Sequence, residues 1–332
     1  MKQRFHLFFV LFGVITSFFI GTSSKNFFAS ENAENPCQTS KYPYLNAALC
    51  DSPFVIDKKG YMALKIELEK LITSKTKAGK VTEVGIYFRD LHYGPTLGIN
   101  EHLKFSPASL LKVPLMMAYL SMAESDSHLL DKKIAFRLTE EGQQARVRQD
   151  ILPARVVKEN QPYSINELLH YMIVYSDNEA QNGLAQYLKK ISPDKDLMAQ
   201  TLTDLGIVDP RNPLEESITV KSYGSIFTLL YHSAFFQTKE MSEKALELLV
   251  DADFDKGLVS GVPSGIKVAN KFGERSSNMN NIKQLHDCGI VYYPNSPYML
   301  CVMTRGYDTE ELEAMIEDIS EMVYEEFDSR KL

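Results

Sequence analysis

The spacing of apolar positions divides the chain into segments of helical and of extended character. Leucines and isoleucines recur every three or four residues over 59–72, which predicts a helix. Apolar positions then alternate with polar or small ones at 84–88, and a second short alternating stretch covers 92–101. We expect two neighbouring strands there, followed by a mainly helical block over about 107–249.

The pattern returns to a period of two after this block. It predicts strands at 266–274, 286–293 and 298–305, the last two joined by a turn at 294–297. A final amphipathic helix is expected to begin after Asp308, because an aspartate side chain suits the position before the first helical turn.

The order of these elements indicates the fold class. A helix, two strands, a helical block, three strands and a helix predict an α+β domain over 56–330. We expect a five-stranded antiparallel sheet assembled from both ends of the chain and flanked by the terminal helices. An all-helical subdomain lies beside it, with a cleft where the two meet.

The N-terminus differs in composition from the rest of the chain. Lys2 and Arg4 precede an apolar run at 7–20, and small residues follow at 21–24. This layout is typical of a secretory signal peptide, and the run is short for a helix that crosses a bilayer. We therefore expect residues 1–24 to direct export to the periplasm or cell exterior, with membrane attachment only if this segment is not cleaved.

Four cysteines fit an oxidising compartment. Cys37 and Cys50 lie in a polar stretch, 25–55, which we interpret as a tether with a loop closed by their disulfide. Cys288 and Cys301 fall on two neighbouring predicted strands. Either a diagonal disulfide or two buried thiols is compatible with their positions.

Composition narrows the range of partners. Of the 332 residues, 44% are hydrophobic and 24% charged, as in ordinary globular proteins. The net charge of -7, without a basic cluster, argues against nucleic acid as a partner. The seven histidines lack metal-ligand spacing, and the acidic stretch 251–257 has its glycine one place late for a calcium loop. We therefore expect neither a metal nor a cofactor. The sequence does not indicate the oligomeric state.

Ser109 and Lys112 form the first candidate catalytic pair. At positions i and i+3 of a predicted helix their side chains share one face. A serine hydroxyl needs a base to become a nucleophile, and a lysine serves as one only when burial or a neighbouring cation lowers its pKa. The segment 110–120 is apolar nearly all round, which predicts such burial. The spacing alone is a weak signal. It also begins at three other serines: Ser74, Ser192 and Ser264.

Two later segments contain further polar candidates. The Ser-Asp-Asn tripeptide at 176–178 follows an apolar stretch and by itself is typical of a helix cap. The Lys-Phe-Gly tripeptide at 271–273, followed by Glu274, lies on a predicted strand, where glycine permits close approach of a ligand backbone. The alternative explanation is that Lys271 is a surface lysine that protects an exposed strand edge from aggregation.

In this order and spacing, the three elements resemble the serine β-lactamase and penicillin-binding protein superfamily. The resemblance is strongest to class A β-lactamases and the related small D,D-peptidases, and it covers about residues 59–327. It implies the fold described above and a serine hydrolase. The implied reaction is formation of an acyl-enzyme with a β-lactam or a peptidoglycan peptide.

The resemblance also implies a role for each residue. Ser109 is acylated, Lys112 takes and returns its proton, and Ser176 protonates the leaving nitrogen. Asn178 binds the substrate amide, and Lys271 supplies positive charge to Ser176 and the substrate. The substrate-binding set is completed by Phe272, Gly273 and Glu274. The backbone N–H groups of Ser109 and Glu274 are expected to form the oxyanion hole.

Two departures from the family pattern change the expected chemistry. Class A β-lactamases use a loop glutamate to activate water for deacylation, whereas the corresponding stretch, 205–219, is short and offers only Glu215 and Glu216. Without such a base the acyl-enzyme should persist, because positioned acid–base groups contribute about 100- to 10,000-fold. Phe272 replaces a family hydroxyl that helps to bind carboxylates. We expect weaker recognition of a free carboxylate if Phe272 faces the cleft, although strand alternation fits a core position equally well.

Two other functions are compatible with the sequence. One is a slow class A-like β-lactamase that deacylates with Glu215, Glu216 or Lys112. The other is a non-catalytic cell-wall binding module that has kept the fold. The intact set of Ser109, Lys112 and the 176–178 tripeptide argues against this second alternative.

Overall fold

A five-stranded antiparallel sheet forms the centre of the computed structural model. The structure describes residues 61–92, 94–135, 149–207, 216–276 and 281–330. In chain order the strands are β1 (Glu83–Asp90), β2 (Thr96–Ile99), β3 (Lys104–Phe105), β4 (Lys133–Ile134), β5 (Tyr163–Ser164), β6 (Ile218–Thr219), β7 (Val268–Ser276), β8 (Lys283–Val291) and β9 (Tyr298–Gly306). The sheet order is β2-β1-β9-β8-β7, while β3 pairs with β6 and β4 with β5. The prediction of a sheet assembled from both ends of the chain is confirmed.

Helices cover both faces of the sheet. In the described residues they are α1 (Met62–Lys77), α2 (Lys112–Ala123), α3 (Ile165–Val174), α4 (Asn178–Ile191), α5 (Leu197–Asp204), α6 (Val220–Tyr231), α7 (Lys239–Val250) and α8 (Thr309–Arg330). A 3-10 turn, Ala108–Leu111, precedes α2 directly. The helices α2 to α7 form the helical block between β3 and β7. Within the part of the chain that the structure describes, no helix is long and apolar enough to cross a membrane.

Two apolar clusters lie on the two sides of the sheet. On one side, Ile86 and Phe88 of β1 belong to a cluster with residues of α1 and α8, including Phe327. On the other side, Tyr87 and Met303 belong to a cluster that continues into the helical block. This second cluster contains residues of both the sheet and the helical block, so it packs the two against each other. The candidate site described below lies where they meet.

Side-chain caps fix the starts of two helices, of which the one after Asp308 was predicted. The Ser164 hydroxyl accepts a hydrogen bond from Glu167 N–H, and the Glu167 carboxylate accepts one from Ser164 N–H, which completes a capping box at α3. Asp308 accepts the N–H of Glu310 at the start of α8. The three C-terminal strands are correct in number, but their ends differ from the prediction by up to three residues. Pairing with the neighbouring strand, rather than side-chain period, sets those ends.

Cys288 and Cys301 form a disulfide that links β8 to β9. The register places them directly opposite each other, so the expected diagonal arrangement is wrong, and so is the alternative of two thiols. Both cysteines are buried on the side that faces the helical block. The predicted signal peptide, the tether and the Cys37–Cys50 bridge lie outside the described residues and stay predictions.

Candidate active site

Ser109 lies on the 3-10 turn and Lys112 begins α2, rather than both lying within one α-helix as expected. A 3-10 turn has about three residues per turn, so side chains at i and i+3 lie one above the other. Lys112 Nζ is 2.9 Å from Ser109 Oγ. The residue before the serine, Ala108, has a φ of 46°, which is uncommon for a residue with a side chain. The turn therefore presents the serine directly to its partner lysine.

Contacts from the sheet and from α6 hold this turn in place. Gln284 Oε1 accepts Ser106 N–H at 3.0 Å, and His286 Nε2 lies 3.1 Å from Ser106 O. Burial lowers the pKa of His286 to about 4, so the ring is neutral and donates this bond from Nε2. From α6, the Tyr223 hydroxyl donates to Leu110 O at 2.9 Å. Tyr223, Gln284 and His286 are not assigned to the site from the sequence, because no local pattern contains their contacts with the turn.

The tripeptide at 176–178 opens α4 and brings two polar side chains to Lys112. Lys112 Nζ lies 2.7 Å from Ser176 O, 3.0 Å from Ser176 Oγ and 2.7 Å from Asn178 Oδ1. Ser176 has a φ of 54°, and Asp177 caps the helix by accepting Glu179 N–H. A neutral amine would donate to the carbonyl and amide oxygens and accept from a serine hydroxyl, which uses its whole bonding capacity.

The 271–273 tripeptide on β7 completes the cluster. Lys271 Nζ lies 3.0 Å from Ser176 Oγ and donates to Phe272 O at the same distance. The absent side chain of Gly273 accommodates the nucleophile's turn, because a Cβ there would lie 2.9 Å from Leu110 Cγ and 3.2 Å from Leu110 N. This glycine therefore lets the turn approach the strand, a role different from the expected approach of a ligand.

The ring of Phe272 lies in the core, not in the open cleft. It is 7% exposed and stacks on Phe254 with ring centroids 4.2 Å apart. The ring also contacts Lys271, whose Nζ lies 4.1 Å from the ring centroid. The expectation that Phe272 lines the substrate site is therefore corrected: the ring contacts the site through the lysine.

The two lysines are buried, with at most 1% of either residue exposed. Burial, followed by the charge of Lys271, lowers the pKa of Lys112 well below its usual value, while Asp177 and Glu274 act in the opposite direction. Burial lowers the pKa of Lys271 to about 7, opposed by Asp287 and Glu274. Burial and the neighbouring amine of Lys271 thus favour the neutral form of Lys112. This is the form that can accept the serine proton.

Glu274 lies on β7, an edge strand of the sheet that contacts the turn carrying Ser109. This position suits the implied oxyanion hole, whose N–H directions stay a prediction. Its carboxylate accepts N–H groups of Asp150 and Ile151, a contact that the sequence did not reveal. Burial raises the pKa of the Glu274 carboxyl to about 7.

Glu216, one of the two glutamates considered for deacylation, is paired with residues of the sheet. Glu216 Oε1 lies 2.8 Å from Arg305 Nη2 and accepts a hydrogen bond from Gln284 Nε2 at 3.2 Å. This pairing favours a structural role for Glu216 over activation of water. Glu215 lies outside the described residues.

The family profile described as the beta-lactamase enzyme family matches residues 63–327. The chain belongs to this family. Together with the assembled polar cluster, membership makes the protein a serine hydrolase. A relative from Bacteroides uniformis that is named a beta-lactamase is 26% identical over 276 residues, which span 78% of this chain and 90% of that protein.

Several solved structures share the fold of this chain. PBP-A superimposes with a TM-score of 0.66 and 18% identity over 83% of this chain and all of the other, and a mutant of it was solved as an acyl-enzyme with penicillin G. A class A beta-lactamase from Mycobacterium abscessus gives a TM-score of 0.64 at 19% identity, over 80% of this chain and 99% of that one. The predicted fold class is thereby confirmed.

Proposed function

We propose that the protein is an exported acyl-serine hydrolase whose Ser109 is acylated by β-lactams or by peptides of peptidoglycan type. The observation that carries the proposal is the position of Lys112 Nζ, within 3.0 Å of Ser109 Oγ, Ser176 Oγ and Asn178 Oδ1. A buried amine in contact with both hydroxyls links the nucleophile to a second proton carrier. A site that only binds would not need such a link.

Acylation follows from these contacts. Ser109 Oγ attacks the carbonyl carbon and its proton passes to the neutral Lys112 amine, while backbone N–H groups stabilise the negative oxygen. When the C–N bond breaks, the leaving nitrogen takes a proton from the Ser176 hydroxyl. Ser176 regains that proton from Lys112, which restores the neutral amine and leaves an ester on Ser109.

Hydrolysis of that ester requires an activated water. In the described residues, the candidate carboxylate Glu216 is paired with Arg305, so we propose that the acyl-enzyme is long-lived. A slow β-lactamase is the second candidate, because the chain belongs to the beta-lactamase family and a relative carries that name. The two candidates differ in deacylation and share the acylation step.

Intact mass spectrometry after mixing the protein with penicillin G tests the proposal. We expect a lasting adduct of one intact penicillin, because the opened β-lactam stays bound through the ester. The Ser109→Ala variant should give no adduct. Ser74→Ala is the matched control, since Ser74 begins the same Ser-x-x-Lys spacing on an exposed part of α1 and should leave the adduct unchanged.

Other outcomes separate the alternatives. A transient adduct with consumption of penicillin would establish the slow β-lactamase. An adduct that survives in Ser109→Ala would contradict the assignment of the nucleophile. If folded wild-type protein gives no adduct with penicillin or with an ester of a D-alanyl peptide, the acyl-enzyme proposal fails.

Export is part of the proposal. It is supported by the apolar run at 7–20 with its basic start, and by the Cys288–Cys301 disulfide, since structural disulfides persist mainly outside the cytosol. Fractionation of cells that produce the full-length chain tests it. Recovery of the protein only from the cytosol would refute this part without affecting the chemistry.

A further inference from the structure

An irregular segment, residues 149–157, runs from the sheet to the loop that carries Ser176. We call it the cleft strap. At its first end the Asp150 carboxylate accepts a hydrogen bond from Lys283 Nζ at 2.7 Å. At its other end Val157 N–H donates to Asp177 Oδ2 at 2.8 Å. The strap is therefore attached to β8 at one end and, at the other, to the residue that follows Ser176.

Glu274, on β7, forms a third attachment of the strap. Its Oε1 accepts Ile151 N–H at 3.0 Å, and its Oε2 accepts Asp150 N–H at 3.2 Å. The same carboxylate interacts electrostatically with Lys112 and Lys271. One side chain thus holds the strap and also places a negative charge beside the catalytic amines.

The charge of Glu274 affects any substrate that brings a carboxylate to the same place. Like charges in a partly buried site repel strongly, because little water screens them. The strap itself exposes two apolar side chains, Leu152 at 70% and Val156 at 36%. Its cation, Arg155, lies over the Tyr175 ring, 5.5 Å from the centroid. The negative charge that Glu274 adds beside the two lysines therefore suits an uncharged group better than a second carboxylate.

We propose that Glu274 is a specificity-determining residue that disfavours acyl donors with a free carboxylate beside the scissile bond and favours uncharged donors, such as internal amides and esters. The inference rests on the proposed function, since it concerns which donors acylate Ser109. It differs from the earlier expectation about Phe272, which concerned a lost hydroxyl. In the present proposal the cause is repulsion between the negative charge of Glu274 and the carboxylate of the acyl donor.

The test compares penicillin G with its uncharged methyl ester at pH 8, where Glu274 is ionised. Glu274→Gln keeps the size of the side chain and an oxygen for the strap, but it removes the charge. We expect the ratio of the acylation rate constant for penicillin G to that for the methyl ester to rise about tenfold in this variant, whatever the change in the methyl ester rate itself. Glu216→Gln is the matched control, because it removes a carboxylate that pairs with Arg305 and should leave the ratio of the two rates unchanged.

A purely structural role gives a different result. If Glu274 only holds the strap, both rates will change by the same factor in Glu274→Gln, and the proposal is overturned. A selective loss of penicillin G acylation in Arg155→Gln, with no effect of Glu274→Gln, would instead assign carboxylate recognition to the strap cation and also overturns it.

A binding measurement separates this inference from the proposed function. If neither compound acylates the wild type, calorimetric affinities of both compounds are compared in Ser109→Ala with and without Glu274→Gln. A gain of about tenfold for penicillin G alone would support the charge effect although the chemistry had failed. Equal affinities in both backgrounds, or no binding of either compound, would refute it.

Discussion

Lys271 shows at the residue scale how a catalytic requirement opposes stability. Its pKa is about 7 in the folded protein against 10.5 for an unperturbed lysine. Between these pH values the unfolded chain binds more protons than the folded one, so stability rises with pH over this window. Below pH 7 both states carry the charge and the folded protein bears the full cost of burying it.

Replacement of Lys271 by Met should therefore stabilise the fold and impair the reaction. We expect a higher free energy of unfolding than wild type at pH 7, with the advantage shrinking as the pH approaches 10.5. Acylation should fall by about 100-fold or more, since a positioned proton-transfer partner is disturbed. Urea denaturation at several pH values measures the first effect, with the exposed Lys267→Met as control. A stability difference independent of pH would contradict the assignment.

At the residue scale, the contact between Ser109 and Lys112 was predictable because the pattern that contains it is local. Ser109 and Lys112 lie on neighbouring turns, so their spacing and apolar surroundings were informative. Phe272 was ambiguous because both faces of β7 are buried near it, and alternation cannot choose between two buried faces. The Glu274 carboxylate contacts Ile151, 123 positions away, and no local pattern contains that contact.

At the scale of elements, the contact between β7 and the 3-10 turn decides whether the site is assembled. Gly273→Ala would place a methyl group 2.9 Å from Leu110 Cγ, so the turn must move away from the strand. We expect acylation to fall by about 100-fold, the usual loss when one oxyanion donor is misplaced. Acylation kinetics with penicillin G measure the effect.

A second variant makes this prediction specific. Leu110→Ala in the Gly273→Ala background removes the side-chain part of the clash and should restore part of the lost rate, although each substitution alone is harmful. If the loss of rate in the double variant equals the product of the losses in the two single variants, the clash with Leu110 is not the reason why Gly273 is required.

Element order was predictable because each helix and strand has its own periodicity. The 3-10 turn at Ser109 was not distinguished from the helix behind it, since both place i and i+3 on one side. The strap, residues 149–157, has no period at all. Its position follows from hydrogen bonds to Asp177, Lys283 and Glu274, which belong to three separate elements.

For the whole molecule, the disulfide joins two central strands of the sheet. Closing a loop of about this size contributes roughly 3 kcal/mol in the chain-entropy model, and Cys288 and Cys301 are separated by 13 positions. The variant with both cysteines changed to Ala should unfold at a lower denaturant concentration by a corresponding amount. An unchanged midpoint, with the bond confirmed in wild type, would refute the expected contribution.

The disulfide also lies in one cross-strand row with the catalytic lysine, because Lys271 pairs with Cys288 and Cys288 with Cys301. The bond forms only after synthesis, so a preparation from a reducing host can contain both the disulfide form and the dithiol form. The two forms differ by two hydrogen atoms. Only the disulfide form has β8 covalently joined to β9 in the row that contains Lys271. A comparison of acylation between the two forms will therefore show whether the covalent link between the strands supports the position of the catalytic lysine.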